Sequence, residues 1–264
     1  FDDDERQAWS AALRAAAPQW VWWSDGDAEL PRDEIRAAVV ANPAPGALAG
    51  LPRLQLVQSL WAGVDKLLAD DSLPAGVPLA RMVDPAMSAA MAETALWAAL
   101  SLHRGFFAYA AQQAASRWAA LPQRRADEVR VLVLGFGAMG REVALRLAAQ
   151  GYRVEAWRAT PAAHTGPGAP AGVEVHAGAA ALPARLACSE FVVNLLPLTD
   201  ATRGLLDARF FGALPRGAGI VTLARGAHVV DEDLLAALDS GQVGHAVLDV
   251  FHTEPLPADH RYWQ

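Results

Sequence analysis

Cysteine is almost absent from this sequence. Cys188 is the only one in 264 residues, so no disulfide can form within the chain. That absence fits a reducing compartment, and a cytoplasmic location is expected. Cys188 follows Leu186 and Ala187 in a helix-like stretch and reads as a buried structural thiol rather than a nucleophile. Positive charge is also short: 22 Lys and Arg stand against 29 Asp and Glu, a net charge of −7. A protein that tracks a phosphate backbone needs a basic face, so no nucleic-acid partner is expected. Long hydrophobic runs are missing as well. The longest, residues 87–102, is interrupted by Ser88, Glu93 and Ser101. A membrane span needs about 20 apolar residues, so this run reads as a buried helix and no membrane partner is expected. The opening Phe1-Asp2-Asp3-Asp4-Glu5 is acidic and does not read as a secretory signal peptide, so none is expected. It also lacks a methionine, which points to a natural N-terminus further upstream.

What is present is an apolar fraction of 53%, enough to bury a sizeable core. The chain divides near residue 85. Residues 1–85 alternate short apolar stretches, at 19–23, 37–41, 54–58 and 77–81, with turn signals such as Ser24-Asp25-Gly26 and Asn42-Pro43-Ala44-Pro45-Gly46. This pattern predicts an α/β unit with a parallel sheet. One helical tract is expected over residues 85–118, apolar around much of its circumference and therefore buried on more than one side. After a charged link at Arg124-Arg125-Ala126-Asp127-Glu128, six strands are expected at 129–134, 152–157, 173–175, 190–196, 219–223 and 245–250. Helices at 141–150 and 231–240 end at Gly151 and Gly241. Residues 161–172 read as a loop. Six strands with crossover helices predict a doubly wound parallel sheet, a Rossmann cofactor domain, in residues 86–264.

Gly135-Phe136-Gly137-Ala138-Met139-Gly140 is a G-x-G-x-x-G motif. Alone such a triplet means little, but here the strand Val131-Leu132-Val133-Leu134 enters it and a helix leaves it. Gly135 permits the tight turn, Gly137 lets a pyrophosphate approach the backbone, and Gly140 lets the helix pack on the strand. Amides at the helix start face the anion. The next strand ends Val154-Glu155-Ala156-Trp157-Arg158. Where a carboxylate would bond the ribose of NAD, Arg158 offers a guanidinium suited to a 2′-phosphate. NADP(H) is therefore the preferred cofactor, with NAD(H) possible. Glu155 belongs to the other side of the strand.

Three further segments end the fourth, fifth and sixth strands: Asn194-Leu195-Leu196-Pro197-Leu198-Thr199, Thr222-Leu223-Ala224-Arg225-Gly226, and residues 248–256 with Asp249 and Glu254. Ligands of an open α/β sheet bind at the strands' carboxyl ends, so the three converge on one crevice. With Thr202 and Gly204, with Val229-Val230-Asp231-Glu232-Asp233, and with Gln58-Ser59-Leu60-Trp61-Ala62-Gly63-Val64-Asp65 in the first half, these motifs resemble the D-2-hydroxyacid dehydrogenases. Within them the glyoxylate/hydroxypyruvate reductases are most similar.

The resemblance implies a flavodoxin-like α/β substrate domain in residues 1–85 and a helical dimerisation arm at the start of residues 86–264, hence a homodimer. It implies that Arg225 holds the carboxylate of a small 2-oxoacid and polarises its ketone. Trp61, Ala62 and Gly63 would bind the other side of that carboxylate, and the bulk of Trp61 would narrow the pocket. Leu196, Pro197, Thr202, Ala224 and Asp249 would line the cofactor beside Gly135, Gly137, Ala138, Met139, Gly140 and Arg158. Glu254 would keep a catalytic histidine protonated. That histidine belongs to a Thr-Pro-His motif expected beyond Gln264. His252 occupies a position that the family leaves variable, and the other histidines match no motif. A first strand and a C-terminal return to the substrate domain are likewise expected outside the sequence. No metal is expected. The implied activity is NADPH-dependent reduction of glyoxylate or hydroxypyruvate. Two other readings remain: a sensor that uses NADP(H) occupancy on a dehydrogenase scaffold, and a dehydrogenase for another D-2-hydroxyacid.

Overall fold

A computed structural model describes residues 3–160 and 171–263. The loop expected at 161–172 falls almost wholly outside the described residues, as does His164. The chain divides into two compact units, with the boundary between Met82 and Val83.

The first unit opens with helix α1 (Asp3–Ala16). Its sheet has three parallel strands, β1 (Ala37–Val40), β2 (Leu56–Ser59) and β3 (Leu79–Ala80), with the short helix α2 (Asp65–Leu68) after β2. The sequential order β1-β2-β3 matches the last three strands of a flavodoxin-like sheet. Leu48, Leu54, Val57 and Leu67 form its small core. The strand expected at 19–23 does not form. Trp20 donates its amide back to Ala17, Trp22 donates its indole N–H to the same carbonyl, and Val21 is 81% exposed. Local turns satisfy this backbone, and apolar content alone misled the reading.

Helix α3 (Pro85–His103) opens the second unit. Asp84 caps it by accepting from the amides of Ala86 and Met87, with Pro85 at the first helical position. The tract expected to run unbroken to Trp118 is interrupted. Gly105 adopts a left-handed φ of +70°, α4 covers Phe106–Ala114, and Trp118 lies outside any helix. Only one face of α3 is buried within the chain. Ala92, Ala95 and Ala99 recur at helical spacing there, and their small side chains let α5 (Ala138–Ala149) pack closely.

The sheet of this unit has six parallel strands: β4 (Arg130–Leu134), β5 (Arg153–Arg158), β6 (Val173–Ala177), β7 (Phe191–Asn194), β8 (Ala218–Thr222) and β9 (Val243–Leu248). Their order β6-β5-β4-β7-β8-β9 reverses at β4, the doubly wound Rossmann arrangement. Side chains alternate along β4. Val131 and Val133 face the core shared with α3 and α5, whereas Leu132 and Leu134 face the opposite one. Helices α6 (Leu182–Leu186), α7 (Ala208–Gly212) and α8 (Asp231–Asp239) belong to that second side, supplying Leu186, Phe211 and Leu234. Cys188 sits just beyond α6 and is half-buried, not buried as expected; its thiol lies 3.3 Å from the Arg185 carbonyl. No helix among the described residues is long and apolar enough to cross a membrane.

His103, at the end of α3, places Nδ1 2.9 Å from the Tyr152 hydroxyl and Nε2 3.0 Å from the Arg124 carbonyl. Burial, aided by Arg104 and Arg124, lowers its pKa below the ordinary imidazole value. The unfolded chain therefore binds more protons in mildly acid solution, and stability should fall as pH drops below about 6.5. Thermal melts at about pH 8 and about pH 5.5 should show a smaller acid-induced loss in His103→Gln than in the unaltered protein. An equal loss in both would remove His103 from the account.

Candidate functional site

Because all six strands run in one direction, their carboxyl ends share one rim, and the chemistry-bearing segments of the second unit begin there. Gly135 follows β4. Its amide donates to the Trp157 carbonyl at 2.8 Å and its φ is +94°. A Cβ at this position would lie 2.7 Å from the Leu195 carbonyl oxygen, so the turn presses against the exit of β7. A Cβ on Gly140 would stand 1.9 Å from the Gly135 carbonyl oxygen. Gly137 is the opposite case: it is exposed, with nothing within 4 Å of the same construction. Among the described residues no side chain caps the start of α5, which leaves its first amides to solvent or a ligand. Ala138 is exposed there and Met139 half-buried. An open space over uncapped amides, with backbone too tight for side chains below, fits the pyrophosphate of a dinucleotide.

Arg158 is the last residue of β5. Among the described residues its shielded Nε has no hydrogen-bond partner. Glu155 is engaged away from this position, with one carboxylate oxygen 3.1 Å from both Arg185 Nη1 and His176 Nε2. The donor set at the strand end is thus cationic, which suits a phosphorylated ribose better than a bare hydroxyl.

After β7 the chain is tied by buried polar groups. Asn194 donates to Thr222 Oγ1 at 3.0 Å, and its Oδ1 accepts from the Leu196 amide. Leu196 is buried, while Pro197 is exposed. Thr202 is 2% exposed, and its hydroxyl lies 2.7 Å from the Pro197 carbonyl while accepting from the Thr199 amide. That hydroxyl is consumed inside the loop, so Thr202 shapes the loop instead of reaching out of it.

Arg225 follows β8 and is half-buried. Its Nη1 donates to the carbonyl of Ala224, itself buried, at 2.7 Å. Gly226 brings the next segment in: a Cβ there would stand 2.0 Å from the carbonyl carbon of Phe251. The Arg225 turn and the segment after β9 therefore touch through backbone. In that segment Asp249 is exposed and its amide donates to Thr222. The exposed Glu254 accepts from the Phe251 amide at 2.9 Å. His252 Nδ1 sits 3.1 Å from Asp231, and the Tyr262 hydroxyl donates to the same carboxylate at 2.9 Å. Burial and Asp231 push the Tyr262 pKa upward, so it stays a donor and holds the segment against α8.

Trp61 is 39% exposed and its amide donates to Ser59 Oγ. Ala62 accepts from Arg81 on its carbonyl. Among the described residues the amides of Ala62 and Gly63 have no acceptor.

Two open hollows lie elsewhere. One of about 430 Å³ is lined by Arg36 and Arg53, and one of about 610 Å³ by Leu235, His245 and Tyr262. Neither is lined by the glycine turn or by Arg225, so strand-end geometry and not cavity size locates the site. Sequence reading passed over His228, which is 0% exposed between the Pro197 loop and the Arg225 turn. Its one signal was its place three residues after Arg225 in an otherwise apolar stretch.

Residues 96–264 match the family model of the NAD-binding domain of D-isomer-specific 2-hydroxyacid dehydrogenases. Glyoxylate/hydroxypyruvate reductase A of Serratia proteamaculans (strain 568) is 39% identical over 98% of this chain and 82% of its own length. A D-isomer-specific 2-hydroxyacid dehydrogenase from Xanthobacter autotrophicus Py2, solved with NADPH and MES, superposes with a TM-score of 0.88 at 43% identity. That match covers 97% of this chain and 81% of the other. An NADPH-dependent glyoxylate/hydroxypyruvate reductase from Sinorhizobium meliloti, solved with NADP and sulfate, gives 0.85 at 37% identity, covering 97% and 81%.

Two alanine substitutions separate packing from binding. Gly226→Ala forces backbone apart and should cost about 1–3 kcal/mol, read as a fall in Tm. Gly137→Ala enters open space and should leave Tm near that of the unaltered protein while weakening dinucleotide binding in a titration. Equal melting losses in the two variants would contradict this picture.

Proposed function

The chain belongs to the D-isomer-specific 2-hydroxyacid dehydrogenase family, and from that footing we propose that it reduces a small 2-oxoacid, glyoxylate or hydroxypyruvate, to the 2-hydroxyacid with NADPH. The observation that carries the proposal is the shared rim. An open glycine turn, a cationic β5 end and the Arg225 turn all lie at the carboxyl ends of one parallel sheet, with Asp249 and Glu254 on the segment that Gly226 touches.

In this reading Gly135, Gly137, Ala138, Met139 and Gly140 cradle the pyrophosphate. Arg158 takes the 2′-phosphate. Leu196, Pro197, Thr202 and Ala224 shape the wall beside the nicotinamide, whose carboxamide bonds Asp249. When bound, the reduced nicotinamide supplies the hydride that the carbonyl carbon accepts. Arg225 donates one N–H to the Ala224 carbonyl, which orients the guanidinium, and in this reading the guanidinium fork grips the carboxylate and polarises the ketone. Glu254 keeps the proton donor charged, so that the carbonyl oxygen receives a proton as the carbon receives hydride. The substrate domain expected in residues 1–85 offers the amides of Ala62 and Gly63 as carboxylate donors, and Trp61 restricts substrate size. The arm of α3 and α4 pairs with a second copy. Trp97 on α3 at 54% and Phe106 on α4 at 56% exposure support an apolar interface there. A cytoplasmic location accords with the single cysteine.

Loss of NADPH absorbance on adding glyoxylate or hydroxypyruvate measures the activity. Arg225→Ala should lower kcat/KM by at least about 10²-fold. NADPH binding without turnover of any 2-oxoacid would instead favour a sensor. Arg158→Asp should shift the NADPH-over-NADH preference by about tenfold or more; an unchanged preference would defeat the cofactor assignment.

A further inference from the structure

His228 is the one fully buried histidine among the described residues, at 0% exposure, and the reaction as written gives it no work. Its ring lies between two loops with different duties. Nδ1 is 3.0 Å from the Arg225 carbonyl oxygen and Nε2 is 3.3 Å from that of Pro197. Carbonyl oxygens only accept, so each close contact needs a ring N–H. Nδ1–H would hold Arg225 and Nε2–H would hold Pro197, so the contact that joins the two loops is the one at Nε2 and the clasp is complete only when both ring nitrogens carry a proton. Pro197 also accepts from the Thr202 hydroxyl at 2.7 Å, and Arg225 from the His228 amide at 3.1 Å. Backbone already joins the far parts of these loops: Gly204 donates to Ala227, and Leu206 donates to His228. Among the described residues no backbone hydrogen bond joins the near part, where Pro197 and Arg225 stand. The imidazole spans that gap.

We propose that His228 is a positioning residue that clasps the Pro197 loop to the Arg225 turn and so couples nucleotide binding to binding of the 2-oxoacid. The inference rests on the functional reading above, in which Pro197 borders the nicotinamide and Arg225 holds the carboxylate. A nucleotide that settles the Pro197 loop passes its order through the ring to Arg225. Linkage makes the effect reciprocal: if nucleotide tightens the oxoacid, the oxoacid tightens nucleotide by the same factor.

The test titrates oxamate, an unreactive 2-oxoacid mimic, into the protein with and without NADP⁺. In the unaltered protein NADP⁺ should tighten oxamate by about 5-fold or more. In His228→Leu that factor should fall towards one, with NADP⁺ affinity alone changed less. His228→Gln keeps one donor and should recover part of the coupling. Coupling of full size in His228→Leu overturns the proposal. Should His228→Leu fail to fold, ¹⁵N-histidine NMR of the unaltered protein decides, with the resonance assigned by its loss in His228→Gln. Protons on both ring nitrogens, slow to exchange, are expected; an unprotonated Nε2 overturns the clasp. Failure of the functional reading looks different, since then neither glyoxylate nor hydroxypyruvate is reduced and oxamate does not bind at all.

Discussion

Parallel pairing is the constraint on which the second unit depends. Strands that all run one way must each be returned by a crossover, and every carboxyl end then finishes on the same rim. Both faces of the sheet must be covered, which is why β4 is apolar at every position from Val131 to Leu134 and why its neighbours divide between two cores. The reversal of strand order at β4 separates the β4 and β7 exits, and the crevice of a doubly wound sheet opens there. Residues as far apart in sequence as Gly135 and Leu195 thereby become neighbours along one edge.

Proximity along a rim does not by itself make a site. The loops must also be held in register, and here close backbone approach and buried polar ties do so. Gly135 abuts Leu195, Gly140 abuts Gly135, and Gly226 abuts Phe251, each at a distance that excludes a Cβ. Asn194 and Thr222 join adjacent strand ends, Thr202 closes the Pro197 loop, and His228 bridges that loop to the Arg225 turn. These groups are buried, so a lost partner would leave an unsatisfied polar atom. The exposed ion pairs, such as Arg261 with Asp239, are of a kind that contributes little.

Legibility followed the range of the interactions involved. The glycine turn was readable because its strand, turn and helix are contiguous, and each glycine answers a local steric demand. Arg158 was readable from its place at the end of a strand. The helix ends at Gly151 and Gly241 were also local matters, both with positive φ. The strand expected at 19–23 was misread because apolar content does not reveal whether a ladder partner exists. The break at Gly105 was missed because one glycine in an apolar helical tract is ambiguous until packing forces its φ. His228 was passed over because its importance lies in two carbonyls, one of them 31 positions away.

The sequence by itself therefore determined the six strands of the second unit, its doubly wound class and which residues stand at each strand end. Periodicity, glycine placement and side-chain charge are properties of neighbouring residues. Tertiary structure alone decided which glycines have no room for a side chain, that the Thr202 hydroxyl turns inward, and that a buried imidazole joins two loops. Those facts depend on distances between segments far apart in the chain, and such distances exist only once the sheet has closed its pairings.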